Sequence, residues 1–161
     1  MDKKLLLERY LYNFVPEVML ISTLLMLIIV INIVGNIPLY GYKTSSIFDI
    51  WSFEHVASGI FISSFTISFR NKFQHPLALT ILISFIWETI EHYIETVGPD
   101  FLVLWFGGVE HWSNRILADG LMITVGFLLV KAFPSCRLPA RGFSLIFIIF
   151  HIYVGDSMYF H

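Results

Sequence analysis

One apolar segment of the sequence carries four ionisable side chains on a single helical face. The intervals i, i+3, i+4 and i+7 are occupied by Glu88, Glu91, His92 and Glu95. Residues at these intervals lie next to one another on an α-helix. Three carboxylates on one face repel one another unless a cation or a proton compensates them. The pattern therefore predicts a site that binds a cation or holds a proton.

Other ionisable and polar residues lie in or beside the remaining apolar segments. They are Glu54, His55, Glu110, His111, Asn114, Arg115, Asp119, His151 and Asp156. Ionisable groups inside a bilayer are costly, and they persist when they face protein or water. Each of them is therefore a candidate for a functional site.

Imidazole and carboxylate groups suit Zn, Fe or Mn, so we predict a divalent metal site. The predicted ligands are His55, Glu91, His92 and Glu95. The predicted catalytic groups are Glu88, Glu91 and Asp119, with Glu88 as the acid or base. The residues predicted to orient them are Asn114, Arg115, Glu110, His111 and His151. The sequence contains neither His-Glu-x-x-His nor the Glu-x-x-His of di-iron bundles, so no motif identifies the metal.

Three other interpretations of the polar residues stay open. They could form a non-catalytic network that locks helices together in a structural or accessory membrane subunit. They could line a pocket for a polar lipid headgroup, for which acidic walls favour a cation. They could also perform acid–base chemistry without a metal. Five short spans give a poor transport pathway, so a transporter is disfavoured.

The composition indicates an integral membrane protein. Of 161 residues, 57% are hydrophobic and 14% are charged, and the mean hydropathy is +0.75. Soluble domains carry about 25% charged residues. The net charge of −2 gives no basic surface for nucleic acid, so nucleic acid is excluded as a partner.

We predict an all-α fold: a single membrane domain over residues 1–161, with five transmembrane helices. A span needs about 20 apolar residues, and the five candidates are 17–36, 53–70, 76–96, 112–132 and 142–159. Residues 1–16 are predicted to form a short interfacial helix, separated from the first span by Pro16.

The distribution of Lys and Arg predicts that the N-terminus lies inside and the C-terminus outside. In this orientation the inner segments hold eight of the ten basic residues, and only Lys43 and Arg115 lie outside. Spans two and four then run from outside to inside and carry their polar residues near their N-terminal ends. Spans three and five run from inside to outside and carry their polar residues near their C-terminal ends. All of these groups therefore fall in the outer half of the membrane.

Three short motifs resemble those of small VanZ-like bacterial membrane proteins and of a related group of bacterial inner-membrane proteins. They are His-x-x-x-Gly at 55–59, Trp-Glu-x-x-Glu at 87–91 and Asn-x-x-x-x-Asp at 114–119. The resemblance covers about residues 49–133 and implies a compact helical bundle in a bacterial plasma membrane. VanZ-like proteins are associated with resistance to glycopeptide antibiotics such as teicoplanin. The matching polar positions are His55, Glu88, Glu91, Asn114 and Asp119.

These observations predict a multi-pass protein of the bacterial inner membrane with a polar site in the outer half of the bilayer. The site would bind a divalent metal or a polar headgroup and act as a hydrolase or transferase on an envelope lipid. The expected partners are membrane lipids, together with further copies of the chain or a larger membrane complex.

Overall fold

The computed structural model describes residues 3–69, 75–106 and 108–154. Within these ranges the chain forms helices and no β-strand, as the sequence predicted. The elements are α1 (Lys3–Gly35), α2 (Ser52–Thr66), α3 (Pro76–Val97), α4 (Asp100–Phe106), α5 (Asp119–Ala132) and α6 (Arg137–Val154). A π-helical turn, Asn114–Ala118, leads directly into α5, and a short 3-10 turn, Pro134–Cys136, precedes α6.

Each predicted span falls largely on one of the longer helices. By length and composition, two of the described helices could cross a membrane, Val15–Gly35 within α1 and Pro76–Val97. Helix α2 has only 15 residues, about 22 Å of helix. The last residues of the predicted span 142–159 lie outside the described part of the chain.

The predicted separation at Pro16 is wrong. Helix α1 continues without interruption from Lys3 through Pro16 to Gly35. A proline removes one backbone hydrogen bond from a helix interior, but a helix can pass through it. The predicted interfacial helix and the first span therefore belong to one helix.

Helix α2 packs closely on α5 because glycines remove the side chains between them. A Cβ atom added at Gly59 would lie 2.6 Å from the carbonyl oxygen of Ile123. One added at Gly126 would lie 2.5 Å from the carbonyl oxygen of Val56. Small residues allow this kind of backbone approach, and it holds the first turns of α2 against α5.

The segment between α1 and α2 folds over one end of the helices. Ile47 is fully buried, and Asp49 and Lys43 are almost fully buried. The side chain of Asp49 accepts a hydrogen bond from the backbone N–H of Ser52 at 2.9 Å, which satisfies a donor at the start of α2. This segment thereby brings Lys43 to the polar ends of α3 and α5.

An ion pair joins α1 to the C-terminal end of α5. Lys131 Nζ lies 2.5 Å from Glu17 Oε1, and Glu17 is 3% exposed.

We expect Lys131→Met to lower the free energy of unfolding by about 3 kcal/mol, because it leaves a buried carboxylate without its cation. Thermal unfolding in detergent measures this change. The double variant Lys131→Met/Glu17→Gln should recover most of the loss, and equal losses in both variants would contradict the explanation.

Candidate metal centre and cavity

Three helices bring one imidazole and two carboxylates together. His55 comes from α2, Glu88 from α3 and Asp119 from the first turn of α5. The His55 Nδ1 atom lies 3.5 Å from Glu88 Oε1, and the His55 Nε2 atom lies 3.3 Å from Asp119 Oδ1. One potential ligand atom from each residue lies within 4.8 Å of the other two. These three residues are called the triad below.

The carboxylates of the triad are buried and receive no hydrogen bond from the described residues. Glu88 is 3% exposed and Asp119 is 1% exposed, and all four of their carboxylate oxygens lack a donor in hydrogen-bond geometry. Buried carboxylates are strongly unfavourable unless positive charge or donors compensate them. The triad therefore favours a cation in addition to Arg115, whose Nε atom lies 3.6 Å from Glu88 Oε2.

The π-helical turn sets the position of Asp119. The Asp119 N–H bonds to the Asn114 carbonyl oxygen, five residues back rather than four. Turns of this kind are rare and often occur at functional sites. Asn114 is fully buried at its start, and its side-chain amide has no partner among the described residues.

Arg115 compensates a second group of carboxylates beside the triad. Its Nη2 atom lies 2.7 Å from Glu95 Oε2 and 3.2 Å from Glu110 Oε2. Its Nε atom lies 3.6 Å from Glu88 Oε2. Arg115 therefore joins the turn before α5 to α3 and to the segment that carries Glu110.

Lys43 supplies the second cation of this group. Its Nζ atom lies 3.3 Å from Glu95 Oε1 and donates to the carbonyl oxygen of Phe106. The backbone N–H of Glu110 also donates to Glu95 Oε2, at 3.2 Å. Both oxygens of Glu95 are thus engaged by protein groups. The residues Lys43, Glu95, Glu110 and Arg115 are called the Arg115 network below.

The environment of Glu110 favours its neutral form. Burial raises the pKa of the Glu110 carboxyl well above its usual range, and the nearby Glu91 and Glu88 carboxylates raise it further. Arg115 acts in the opposite direction and lowers this pKa. Glu110, in the loop between α4 and the π-helical turn, therefore lies close to the carboxylates of Glu91 and Glu88.

The group brought together by the structure differs from the predicted ligand set. Only His55 belongs to both. Glu95 is taken up by the Arg115 network, and His92 is exposed, with its Nδ1 atom 2.6 Å from Arg115 Nη1. Glu91 is half-buried and lines a cavity beside Glu88. Glu88 and Asp119, which the sequence predicted as catalytic groups, instead join His55 in the group that could hold a metal.

The residues predicted to orient the site have different positions. Arg115 and Glu110 contact the carboxylates directly, and Asn114 fixes Asp119 through its backbone. The ring of His111 instead contacts the Ser113 hydroxyl at 2.7 Å. The side chain of His151 lies outside the described part of the chain.

Lys43 was missed because nothing in its local sequence marks it as part of a site. It is a single lysine in an irregular segment that shows no helical periodicity. Its only signal is that it is one of two basic residues in the predicted outer segments, which together hold many carboxylates. Pairing those two cations with the excess of Glu would have indicated both of them.

Two residues of the triad, His55 and Glu88, line the polar end of a cavity of about 400 Å³. His55, Glu88 and Glu91 line this end, while Phe61, Ile62 and Ile123 are among the residues that line the rest. Trp51, Trp87 and Trp105 are also among the lining residues. The volume lies within the range typical of small-molecule sites, about 300–1,000 Å³.

Comparisons with known proteins show no family for this chain. No family model and no solved structure matches it. A curated protein, protein nucleotidyltransferase YdiU of Bordetella petrii, is 37% identical over 57 residues. This match covers 34% of the chain and 11% of YdiU, so the chain spans about a tenth of the length of that protein.

Proposed function

We propose that the chain is a membrane protein that binds one divalent metal on His55, Glu88 and Asp119. We further propose that it acts as a hydrolase or transferase on an envelope lipid. One observation carries the proposal: two buried carboxylates without hydrogen-bond donors and an imidazole converge from three helices. Two of them, His55 and Glu88, line the polar end of a cavity whose other walls include apolar residues.

The donor set of the triad fits Zn, Mn or Fe. Tetrahedral zinc with bonds of about 2.0–2.2 Å places its ligand atoms about 3.3–3.6 Å apart. The three ligand atoms of the triad lie within 4.8 Å of one another, so metal binding would draw the side chains inward. Three protein ligands leave a coordination position open, as catalytic sites require.

A metal held by the triad would lower the pKa of a bound water and polarise a carbonyl or phosphoryl oxygen. Glu91 lies in the cavity wall beside Glu88, where it can take up the proton released by that water. Arg115 lies between Glu88 and Glu95 and keeps the Glu88 carboxylate turned toward His55. These roles make Glu91 the base and Arg115 a positioning residue.

We place this site in the outer half of a bacterial inner membrane. The proposal takes the five predicted spans with the N-terminus inside, and it is supported by the apolar composition and by the two helices long enough to cross. In this arrangement the triad lies within reach of lipids of the outer leaflet. Membrane lipids are then the partners, together with further copies of the chain or a larger membrane complex.

A second candidate function is a purely structural lock between helices. It is favoured by the position of His55, because each ring nitrogen faces a different carboxylate. A protonated imidazole in that position would bridge α3 and α5 without any metal. In that case the protein would be an accessory subunit with no chemistry at the triad.

Thermal unfolding with and without added Zn²⁺ or Mn²⁺ distinguishes the two candidates. We expect metal at about 100 times its Kd to stabilise the wild type by about 2.7 kcal/mol. Asp119→Asn should lose this stabilisation, whereas Glu91→Gln, which lies outside the triad, should keep it. A wild type that does not respond to metal, with a His55→Ala variant that melts much earlier, would support the structural lock.

A further inference from the structure

Helices α2 and α3 form two walls of the cavity beside the triad. Along both walls the side chains change from charged to apolar in the same direction. The α2 wall consists of Glu54, His55, Ser58, Phe61 and Ile62, and the α3 wall consists of Glu91, Glu88, Trp87, Ser84 and Ile83. Each set lies on one face of its helix. From Glu54 to Ile62 the wall is about 12 Å long. The cavity therefore passes from carboxylates to apolar side chains over about two turns of helix.

The apolar end of the cavity is closed. The hydroxyl groups of Thr66 and Thr80 lie 2.8 Å apart and join α2 to α3 beyond the last lining residues. Ile123 of α5 is 1% exposed and forms the back of the cavity. A ligand chain consequently cannot pass from end to end between these two helices.

The side of the cavity is open along α3. Ile83 and Trp87 line the cavity and are also 40% and 53% exposed. Ser84 and Glu88, on the same wall, are 8% and 3% exposed. Because Ile83 and Trp87 border both the cavity and the outer surface of the bundle, they mark a lateral opening. In a bilayer such an opening faces lipid.

The polar end of the cavity selects for positive charge. The acidic residues Glu54, Glu88, Glu91 and Glu110 line it, and Lys43 is the basic residue among the lining residues. Arg115 offsets part of this charge from outside the lining, through Glu88 and Glu110. Glu88 is 3% exposed, its oxygens have no hydrogen-bond donor among the described residues, and it lines the cavity. Acidic side chains outnumber basic ones around this end, which favours a cationic headgroup over an anionic one.

Aromatic side chains supply a second feature that favours a cation. Trp51, Trp87 and Trp105 are all among the residues that line the cavity. Tryptophan faces attract ammonium groups, and clusters of such rings recognise amines and quaternary ammonium ligands. Carboxylates and indole rings together therefore match a headgroup that carries an amine.

We propose that the substrate is an amphiphile with an amine-bearing, cationic headgroup and an apolar chain that enters sideways between α2 and α3. The headgroup lies among the carboxylates and tryptophans, and the first part of the chain lies against Phe61, Ile62 and Ile123. This inference rests on the proposed function in one respect, since it takes the triad as the reacting centre that the headgroup approaches. The remainder of the chain leaves through the opening at Ile83 and Trp87.

Photolabelling in lipid nanodiscs tests the proposal. The protein is placed in neutral phosphatidylcholine and irradiated with one of two probes, a diazirine-bearing alkylammonium or an alkyl sulfate of the same chain length. We expect the ammonium probe to label the residue ranges 58–62 and 83–87 at least about tenfold more than the sulfate, equivalent to about 1.4 kcal/mol. Mass spectrometry of the labelled peptides gives both the position and the yield.

Variants that fill the cavity provide the control. Ile62→Trp and, independently, Ser58→Phe should reduce labelling by about tenfold by occupying the chain site. Leu82→Trp should leave labelling unchanged, because Leu82 is 54% exposed and does not line the cavity. The proposal is overturned if both probes label equally, or if the filled variants label as the wild type does.

Metal binding measured on the same preparations separates this proposal from the proposed function. Bound metal with no preference for the ammonium probe overturns the substrate class and leaves the metal site standing. Selective labelling that Ile62→Trp abolishes, in a protein that binds no metal, supports the substrate class and overturns the metal-dependent chemistry. A filled variant that still binds metal shows that its loss of labelling is not a loss of fold.

Discussion

Arg115→Met is expected to destabilise the protein by about 3–5 kcal/mol, the largest effect of any single substitution considered for this chain. Arg115 lies within 3.6 Å of three carboxylates, those of Glu95, Glu110 and Glu88. Its own side chain is 10% exposed. Removing its charge leaves those carboxylates with Lys43 as the remaining cation of the Arg115 network.

Thermal and denaturant unfolding in detergent measure the effect of Arg115→Met. The stability of Arg115→Lys should be intermediate. The lysine ammonium keeps the charge but lacks the planar set of donors with which Arg115 contacts Glu95 and Glu110 at once. Glu95→Gln added to Arg115→Met should recover part of the loss, because one buried charge is then removed. An Arg115→Met variant as stable as the wild type would mean that the carboxylates are neutralised in another way.

Gly126→Ala is expected to destabilise the protein by about 3 kcal/mol, at the upper end of the range for overpacked cores. The added methyl group would lie 2.5 Å from the carbonyl oxygen of Val56 and 2.8 Å from the backbone nitrogen of Ile60. Both atoms belong to the backbone, so no side-chain rotation relieves the contact. Helix α2 must instead move away from α5.

This movement should also weaken metal binding, because α2 carries His55 and α5 carries Asp119. Gly142→Ala is the matched control: a Cβ atom at Gly142 meets nothing within 4 Å, and the residue lies in α6. We expect that variant to gain about 0.5–1 kcal/mol from the better helix propensity of alanine. Equal effects of the two substitutions on unfolding and on metal affinity would refute the role of close packing.

The helices and the polar face of α3 could be predicted because both depend on local patterns. Apolar runs broken by Gly and Pro locate the longer helices, and the face shared by Glu88, Glu91 and Glu95 follows from helical spacing. None of these inferences requires knowledge of how the helices are rotated relative to one another.

The membership of the site could not be predicted because it depends on those rotations. Glu88 and Glu95 share one face of α3, yet the structure gives them different partners. Glu88 faces His55, while Glu95 is held by Arg115 and Lys43. Helical spacing fixes the face of a residue within its own helix and not the neighbour that this face meets.

The π-helical turn is a second feature that the sequence does not reveal. The extra residue per turn changes how the side chains of Arg115 and Asp119 project relative to a regular α-helix. Arg115 and Asp119 are four residues apart, a spacing that would place them side by side on a regular α-helix. In the structure Arg115 contacts the carboxylates of α3 and of the preceding loop instead, while Asp119 faces His55.

X-ray absorption spectroscopy of the zinc-loaded protein tests the central claim most directly. A metal on the triad predicts one equivalent of zinc, coordinated by nitrogen and oxygen at about 2.0–2.2 Å with a single imidazole. His55→Ala should remove that imidazole signal, and His92→Ala should leave it unchanged. Two imidazoles, or a spectrum that His55→Ala does not alter, would contradict a metal centre built from His55, Glu88 and Asp119.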